Sequence, residues 1–274
     1  MLLNQEVILE NLAAKLRIDI LKMIFEAQSG HPGGSFSAID MMTALYSKVM
    51  KHDPQNPDSP DRDRFILSKG HAAPALYAIL AHHGYFPQEN LKTLRKMGSP
   101  LQGHPEKNKL PGVEASTGSL GQGISIGIGM ALAGKLDGKN YRTYVLVGDG
   151  EINEGQVWEA ALFAPNHQLD HLVVILDHNG QQLDGSVQEI MPLDPLAEKW
   201  RAFGWNVIEI NGHRMNEILD AFEKAGSTRG KPTIIIAKTI KGKGVSFMEN
   251  NNEFHGMAPN KEQFTLALQE LEHA

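Results

Sequence analysis

Two β-branched runs, Val145-Leu146-Val147 and Leu172-Val173-Val174-Ile175-Leu176, constrain the chain most, because each stops abruptly at a polar turn. The first runs into Gly148-Asp149-Gly150-Glu151 and the second into Asp177-His178-Asn179-Gly180. In an open α/β sheet such a stop marks the carboxyl end of a parallel strand, where ligands bind. Asp149 and Asn179 lie 30 residues apart. That is the length of one strand-helix-strand unit, so a right-handed crossover can bring both turns to one crevice. A carboxylate and an amide oxygen are hard ligands suited to Mg²⁺ or Ca²⁺, and Mg²⁺ completes its octahedron with waters and phosphate oxygens. Gly148 and Gly150 leave room for backbone to approach a phosphate. The pattern predicts a seat for a metal and a diphosphate.

Elsewhere strands and helices alternate. Apolar spacing predicts helices over 6–27, 37–50, 72–82, 151–164, 195–203, 215–224 and 260–272, with strands at 65–67, 142–147, 171–177, 206–210 and 233–237. The expected class is α/β: a parallel sheet with helices on both faces. A glycine-rich segment from Thr117 to Lys135 has too many glycines for a stable isolated helix, at about 1 kcal/mol each relative to alanine. Its expected use is close backbone approach, to a ligand in front and a neighbouring helix behind. It is not a dinucleotide fingerprint, since no clear strand precedes it.

Composition removes several functional classes. There is no cysteine, so thiolate metal sites and cysteine nucleophiles are excluded. The net charge of -6 argues against nucleic acid as the main partner. Residues 1–17 carry Glu6 and Glu10 and lack a secretory pattern, and the apolar stretch 124–132 is too short to span a membrane, so a cytoplasmic protein is expected. The 12 histidines are the anomaly. Four of them, His31, His71, His104 and His255, stand beside glycines in turns rather than on apolar helix faces. No His-Glu-x-x-His spacing occurs, which counts against a zinc hydrolase.

Read in order, the motifs resemble those of transketolase, in the part of that enzyme that binds the diphosphate of thiamine diphosphate. They are Ser-Gly-His-Pro-Gly at 29–33, Gly-His at 70–71, Gly-His-Pro-Glu at 103–106 and Leu-Gly-Gln-Gly at 120–123. Gly-Asp-Gly-Glu…Glu-Gly at 148–155, Asn-Gly at 179–180 and His-Gly…Pro at 255–259 complete the series. The resemblance covers nearly the whole chain. It implies a thiamine-diphosphate-binding fold, with residues 1–274 forming one diphosphate-binding domain that includes an N-terminal helical extension.

The resemblance also implies roles. Asp149, Asn179 and the Gln181 carbonyl would hold Mg²⁺ or Ca²⁺. His71, Gly150, Asn179 and His255 would contact the diphosphate, and Gly118, Ser119 and Leu120 would line the cofactor through their backbone. His31, His104 and His255 would face the hydroxyls of a sugar phosphate donor. His31 and His255 are the candidates for removing a hydroxyl proton, and Glu154 matches a carboxylate of a network linking two active sites. Ser119 and Gln181 depart from the usual family residues at positions where backbone makes the contact. Lys241 and Lys243 are read as a loop with a minor prospect of anion contact. A complete transketolase also carries a pyrimidine-binding domain and a third domain, neither of which is visible here. The implied partner is a separate C-terminal transketolase chain supplying the pyrimidine site, in an α2β2 assembly. Alternatives are a two-chain relative acting on apulose phosphate or a sulfo-sugar, and a non-catalytic stabilising subunit.

Overall fold

The computed structural model describes residues 2–273, with side chains from residue 5 onward. Five strands form one wholly parallel sheet: β1 (Arg64–Leu67), β2 (Thr143–Gly148), β3 (Leu172–His178), β4 (Asn206–Asn211) and β5 (Thr233–Lys238). Their spatial order is β1-β2-β3-β5-β4. The chain steps inward from the edge strand β1 through β2 to β3, jumps to the far edge for β4, and returns to insert β5 beside β3. In register, Gly148 pairs with Asp177 and His178 with Lys238. The carboxyl ends of the central strands therefore stop level with one another, and their loops open on one edge.

Residue alternation builds two cores. Phe65, Leu67, Tyr144, Leu146, Val173, Ile175 and Ile235 face a layer that includes α1 (Leu2–Ala27), α2 (Pro32–Ala44), α3 (Ala73–His82), α8 (Met215–Ser227) and α9 (Lys261–Glu272). Ile66, Val145, Val147, Val174, Leu176, Ile234 and Ile236 face α4 (Gln122–Leu136), α5 (Gly155–Asn166) and α7 (Leu196–Ala202). Both faces of the central strands are covered, which is why those strands read as unbroken apolar runs. The edge strand β4 is only partly covered and keeps polar Glu209 and Asn211. A single turn, α6 (Val187–Ile190), interrupts the long connection after β3.

Two expectations change. Helix α2 begins at Pro32, not at 37, so Gly33 and Gly34 belong to its first turn rather than to a loop. Proline suits that position, where its missing N–H has no intrahelical partner to lose. The glycines permit close packing: a Cβ at Gly33 would sit 3.0 Å from Lys241 Cγ, and one at Gly34 would sit 3.3 Å from His71 Nε2. The glycines of α4 do allow close approach: the helix packs against α5 as expected, but also against β2, and the glycines themselves meet the sheet and its flanks. A Cβ at Gly127 would collide with Val145 Cγ2, and one at Gly123 with the side chain of Ser68.

Gly127→Ala should therefore destabilise the chain by about 1–3 kcal/mol through overpacking. Gly129 lies in the same helix with open space around it. Gly129→Ala should instead stabilise by up to about 1 kcal/mol. Urea denaturation of the two variants beside the parent chain reads both signs.

Candidate active site

The loops leaving β1, β2, β3 and β5 converge on a cavity of about 250 Å³. Its lining includes His71, Leu120, Asp149, Asn179, Lys241 and His255. Beneath the floor lies Asp177, the penultimate residue of β3, with no solvent exposure. Its carboxylate is paired with Lys69 from the loop after β1, accepts from Ser37 Oγ at 2.6 Å and from Asn179 Nδ2 at 3.3 Å, and also accepts from Thr239 Oγ1. Lys69 Nζ donates in addition to the carbonyl of Gly34 at 2.9 Å. Burial pushes the Asp177 pKa up, but the Lys69 ammonium and these donors outweigh it and hold the carboxyl below its usual range.

A second buried carboxylate, Glu151, clamps the loops on the other side. It accepts from Gly121 N at 2.9 Å, Gly148 N at 3.0 Å and Ser68 Oγ. Burial raises its pKa against the pull of those donors.

Asp149 is 2% exposed. Its two oxygens accept from Gly150 N at 2.8 Å and Gly180 N at 2.6 Å, so the turns after β2 and β3 are tied together through this side chain. His178 Nδ1 stands 3.4 Å from Asp149 Oδ2, and the contact raises the imidazole's pKa. Asn179 Oδ1 accepts from Gln181 N at 3.1 Å. Gln181 itself forms an isolated antiparallel bridge with Ser186, closed by Gln182 N to Gly185 O and Val187 N to Gly180 O, each 2.9 Å. That closure leaves the Gln181 carbonyl out of the pairing. One carboxylate, one carboxamide and one free carbonyl thus gather at the strand ends, a hard-oxygen donor set that fits Mg²⁺ or Ca²⁺.

The opposite wall is cationic and aromatic. Lys241 is 2% exposed and has no carboxylate partner among the described residues. Its ammonium donates to His255 Nδ1 at 3.0 Å, Asn252 Oδ1 at 3.2 Å and the Gln182 carbonyl at 3.4 Å. Burial lowers its pKa to about 8. A buried cation with no carboxylate in direct contact, lining a cavity, suits a phosphate. The loop bearing Lys241 is fixed from behind. Gly242 N donates to Gly33 O at 3.0 Å, and Ile240 N donates to His213 Nε2 at 2.8 Å. His213 Nδ1 in turn lies 2.7 Å from Asp40, which also pairs with Arg17.

Four of the predicted histidines form one cluster. The His31 ring centroid lies 5.4 Å from that of His71, 5.6 Å from His255 and 6.2 Å from His104, and His71 lies 5.1 Å from His255. Burial and neighbouring cations push His31 and His255 down to about 4 and His71 well below its usual value, and burial also lowers His104. These imidazoles are neutral at pH 7, rather than titrating near neutrality as their residue type alone suggests.

Among the remaining predicted residues, Gly150 and Leu120 line the cavity. Gly118, with φ +148°, packs on His104. Ser119 lies between these two in the same loop, ahead of α4. His31 and His104 stand beside the cavity rather than in its lining. Glu154 is exposed at the start of α5 and lines none of it. Sequence reasoning missed Lys69, Asp177, Glu151 and Arg95, and gave Lys241 little weight. A carboxylate directly after five apolar strand residues was the available signal for Asp177.

A parallel α/β fold with a cavity of this lining at the carboxyl ends of its strands defines a class of protein with room there for an anionic cofactor. Residues 8–272 match the family described as "Transketolase, thiamine diphosphate binding domain". The chain belongs to the transketolase family. It is 48% identical over 269 residues to the 6-deoxy-6-sulfo-D-fructose transketolase subunit SqwG of Clostridium sp. (strain MSTE9), covering 98% of each. It is 43% identical to an apulose-4-phosphate transketolase subunit of Phocaeicola vulgatus, covering 96% of this chain and 93% of that one. The crystal structure of Campylobacter jejuni transketolase superposes with a TM-score of 0.92 at 36% identity, over 97% of this chain and 43% of that protein. The chain therefore corresponds to the N-terminal, diphosphate-binding part of a transketolase. No helix among the described residues is long and apolar enough to cross a membrane.

Lys69→Met should cost about 3–5 kcal/mol, because it strands the buried Asp177 carboxylate. Lys69→Met/Asp177→Asn should recover part of that loss in a denaturant melt. The histidines give a second expectation. Their folded-state pKa values lie below the unfolded value of 6.5. As pH falls through 6.5 the unfolded chain binds protons that the folded chain refuses until about pH 4. Stability should decline across that window, each imidazole contributing at most about 1.4 kcal/mol per pH unit. Urea midpoints at pH 7.5, 6 and 5 measure it.

Proposed function

We propose that this chain is the diphosphate-binding subunit of a two-chain transketolase, moving a two-carbon ketol unit from a ketose donor to an aldose acceptor with thiamine diphosphate. One observation carries the reading: the oxygen donors of Asp149, Asn179 and Gln181 face the unpaired Lys241 ammonium and the neutral histidine cluster in or beside one cavity. The whole chain acts as one diphosphate-binding domain.

Asp149, Asn179 and the Gln181 carbonyl would hold Mg²⁺ or Ca²⁺. Lys241, His71, His255 and the Gly150 backbone would neutralise and orient the diphosphate, while Gly118, Ser119 and Leu120 would bound the cofactor. Thiamine diphosphate, when bound, supplies the carbanion and the electron sink. The chain's own contribution is to bind, orient and move protons. His31, His104 and His255 meet the donor's hydroxyls, and a neutral imidazole among them accepts the proton lost as the carbon-carbon bond breaks. Glu154, exposed on the surface, would serve a network across subunits rather than touch substrate.

A second chain would supply the pyrimidine site, forming an α2β2 assembly. The subunit names of the two sugar-specific relatives, which this chain matches over nearly their whole length, support the existence of a second chain. They also favour an unusual ketose, a sulfo-sugar or apulose phosphate, as the donor.

Purified chain with thiamine diphosphate and Mg²⁺ should show no ketol transfer until the second chain is added. Turnover by the lone chain would reject the split enzyme. Asp149→Ala should abolish the rise in melting temperature that Mg²⁺ and pyrophosphate give the parent chain. It should also lower kcat of the pair by two orders of magnitude or more. Unaltered activity of the pair with His255→Ala would instead indicate a scaffold subunit.

A further inference from the structure

His31 and His255 look interchangeable as proton acceptors, since both are neutral and both stand at the cavity. The hydrogen-bond partner of His31 removes that ring from the role. Arg95 reaches His31 from the segment before Gly103: Nη2 lies 3.3 Å from His31 Nδ1, Nη1 donates to Ser29 Oγ at 2.8 Å, and Nη2 also donates to the Gly103 carbonyl at 3.3 Å. A guanidinium has donors only and keeps its proton at any working pH. Facing Arg95, Nδ1 of His31 must therefore be the acceptor, and the single proton of the neutral ring sits on Nε2. Nε2 has no protein partner among the described residues, so its N–H is on offer to a ligand. Arg95 also adopts a left-handed backbone, φ +58°, uncommon for a side chain of this size. The turn thus holds an unfavourable conformation while presenting this guanidinium to Ser29 and His31.

We propose that Arg95 is a positioning residue that locks His31 as the Nε2–H tautomer, so that His31 donates a hydrogen bond to an oxygen of the donor sugar rather than accepting its proton. The identity of the ligand rests on the transketolase reading; the tautomer does not. The charged and titratable neighbours of His31 are Arg95, His255, His104, His71 and Lys241, none of them a carboxylate that could stabilise a protonated ring.

The test is imidazole ¹⁵N NMR of the full, ligand-free chain, with His31→Gln used to assign the resonance. Between pH 6 and 8 the parent should show His31 with bare Nδ1 and protonated Nε2, and no titration of that ring. Arg95→Met should give a mixture of tautomers and move the His31 midpoint up by one pH unit or more. Arg95→Gln, which keeps an N–H donor and removes the charge, should keep the tautomer while raising the midpoint. In the assembled enzyme Arg95→Met should lower kcat at least tenfold. A parent spectrum with the proton on Nδ1 overturns the proposal, even if every Arg95 variant fails to fold. So does an Arg95→Met chain whose tautomer and midpoint match the parent. Failure of ketol transfer with a correct spectrum would count against the function and spare the assignment of His31.

Discussion

The pairing of Lys69 with Asp177 holds together segments that are far apart in sequence, 108 residues separating the two partners. A carboxylate with no exposure must have its charge matched and its lone pairs occupied, or it costs several kcal/mol. Asp177 achieves this by recruiting Lys69 after β1, Ser37 in α2, Thr239 after β5 and its own neighbour Asn179. Each donor comes from a different segment of the chain. The consequence reaches the metal donors: Asn179 Nδ2 is engaged below, by Asp177 and Ser37, which leaves Oδ1 as the oxygen presented above. The orientation of a residue read from sequence is thus set by one that sequence reading passed over.

What was legible followed from periodicity and from where it stops. Strands covered on both faces must be apolar throughout, so β2, β3 and β5 announced themselves, and the polar turns closing β2 and β3 marked the ligand edge. Asp149, Asn179, His71 and His255 do meet there, because parallel register levels the strand ends. Contacts between distant segments were not legible. Gly33 and Gly34 look like loop residues because glycine disfavours helix; only the proximity of Lys241 and His71 explains them inside α2. Arg95 lies in a turn with no periodicity, and nothing local links it to His31, 64 residues earlier. The glycines of α4 signal close approach correctly, but spacing alone does not tell that Gly127 faces a strand while the helix packs on α5 as well.

Electrostatics supply the remaining logic. The chain carries a net charge of -6, yet the cavity gathers Lys69, Lys241 and, beside it, Arg95 around four imidazoles. Rings with centroids 5–6 Å apart cannot all be protonated in a poorly solvated space, and the lysines and arginine already hold the positive charge there. The imidazoles therefore behave as neutral hydrogen-bonding groups whose direction is set by whichever cation touches Nδ1. An entering diphosphate changes that balance. Its negative charge stabilises every nearby protonated form, raising the pKa of His71, His255 and Lys241 together and drawing the Lys241 ammonium toward phosphate. Binding and protonation are then linked through one charge: the same anion that satisfies the unpaired cation returns basicity to the histidine beside it. A site built this way is a poor base when empty and a better one when loaded, which follows from placing a buried lysine between a phosphate seat and an imidazole.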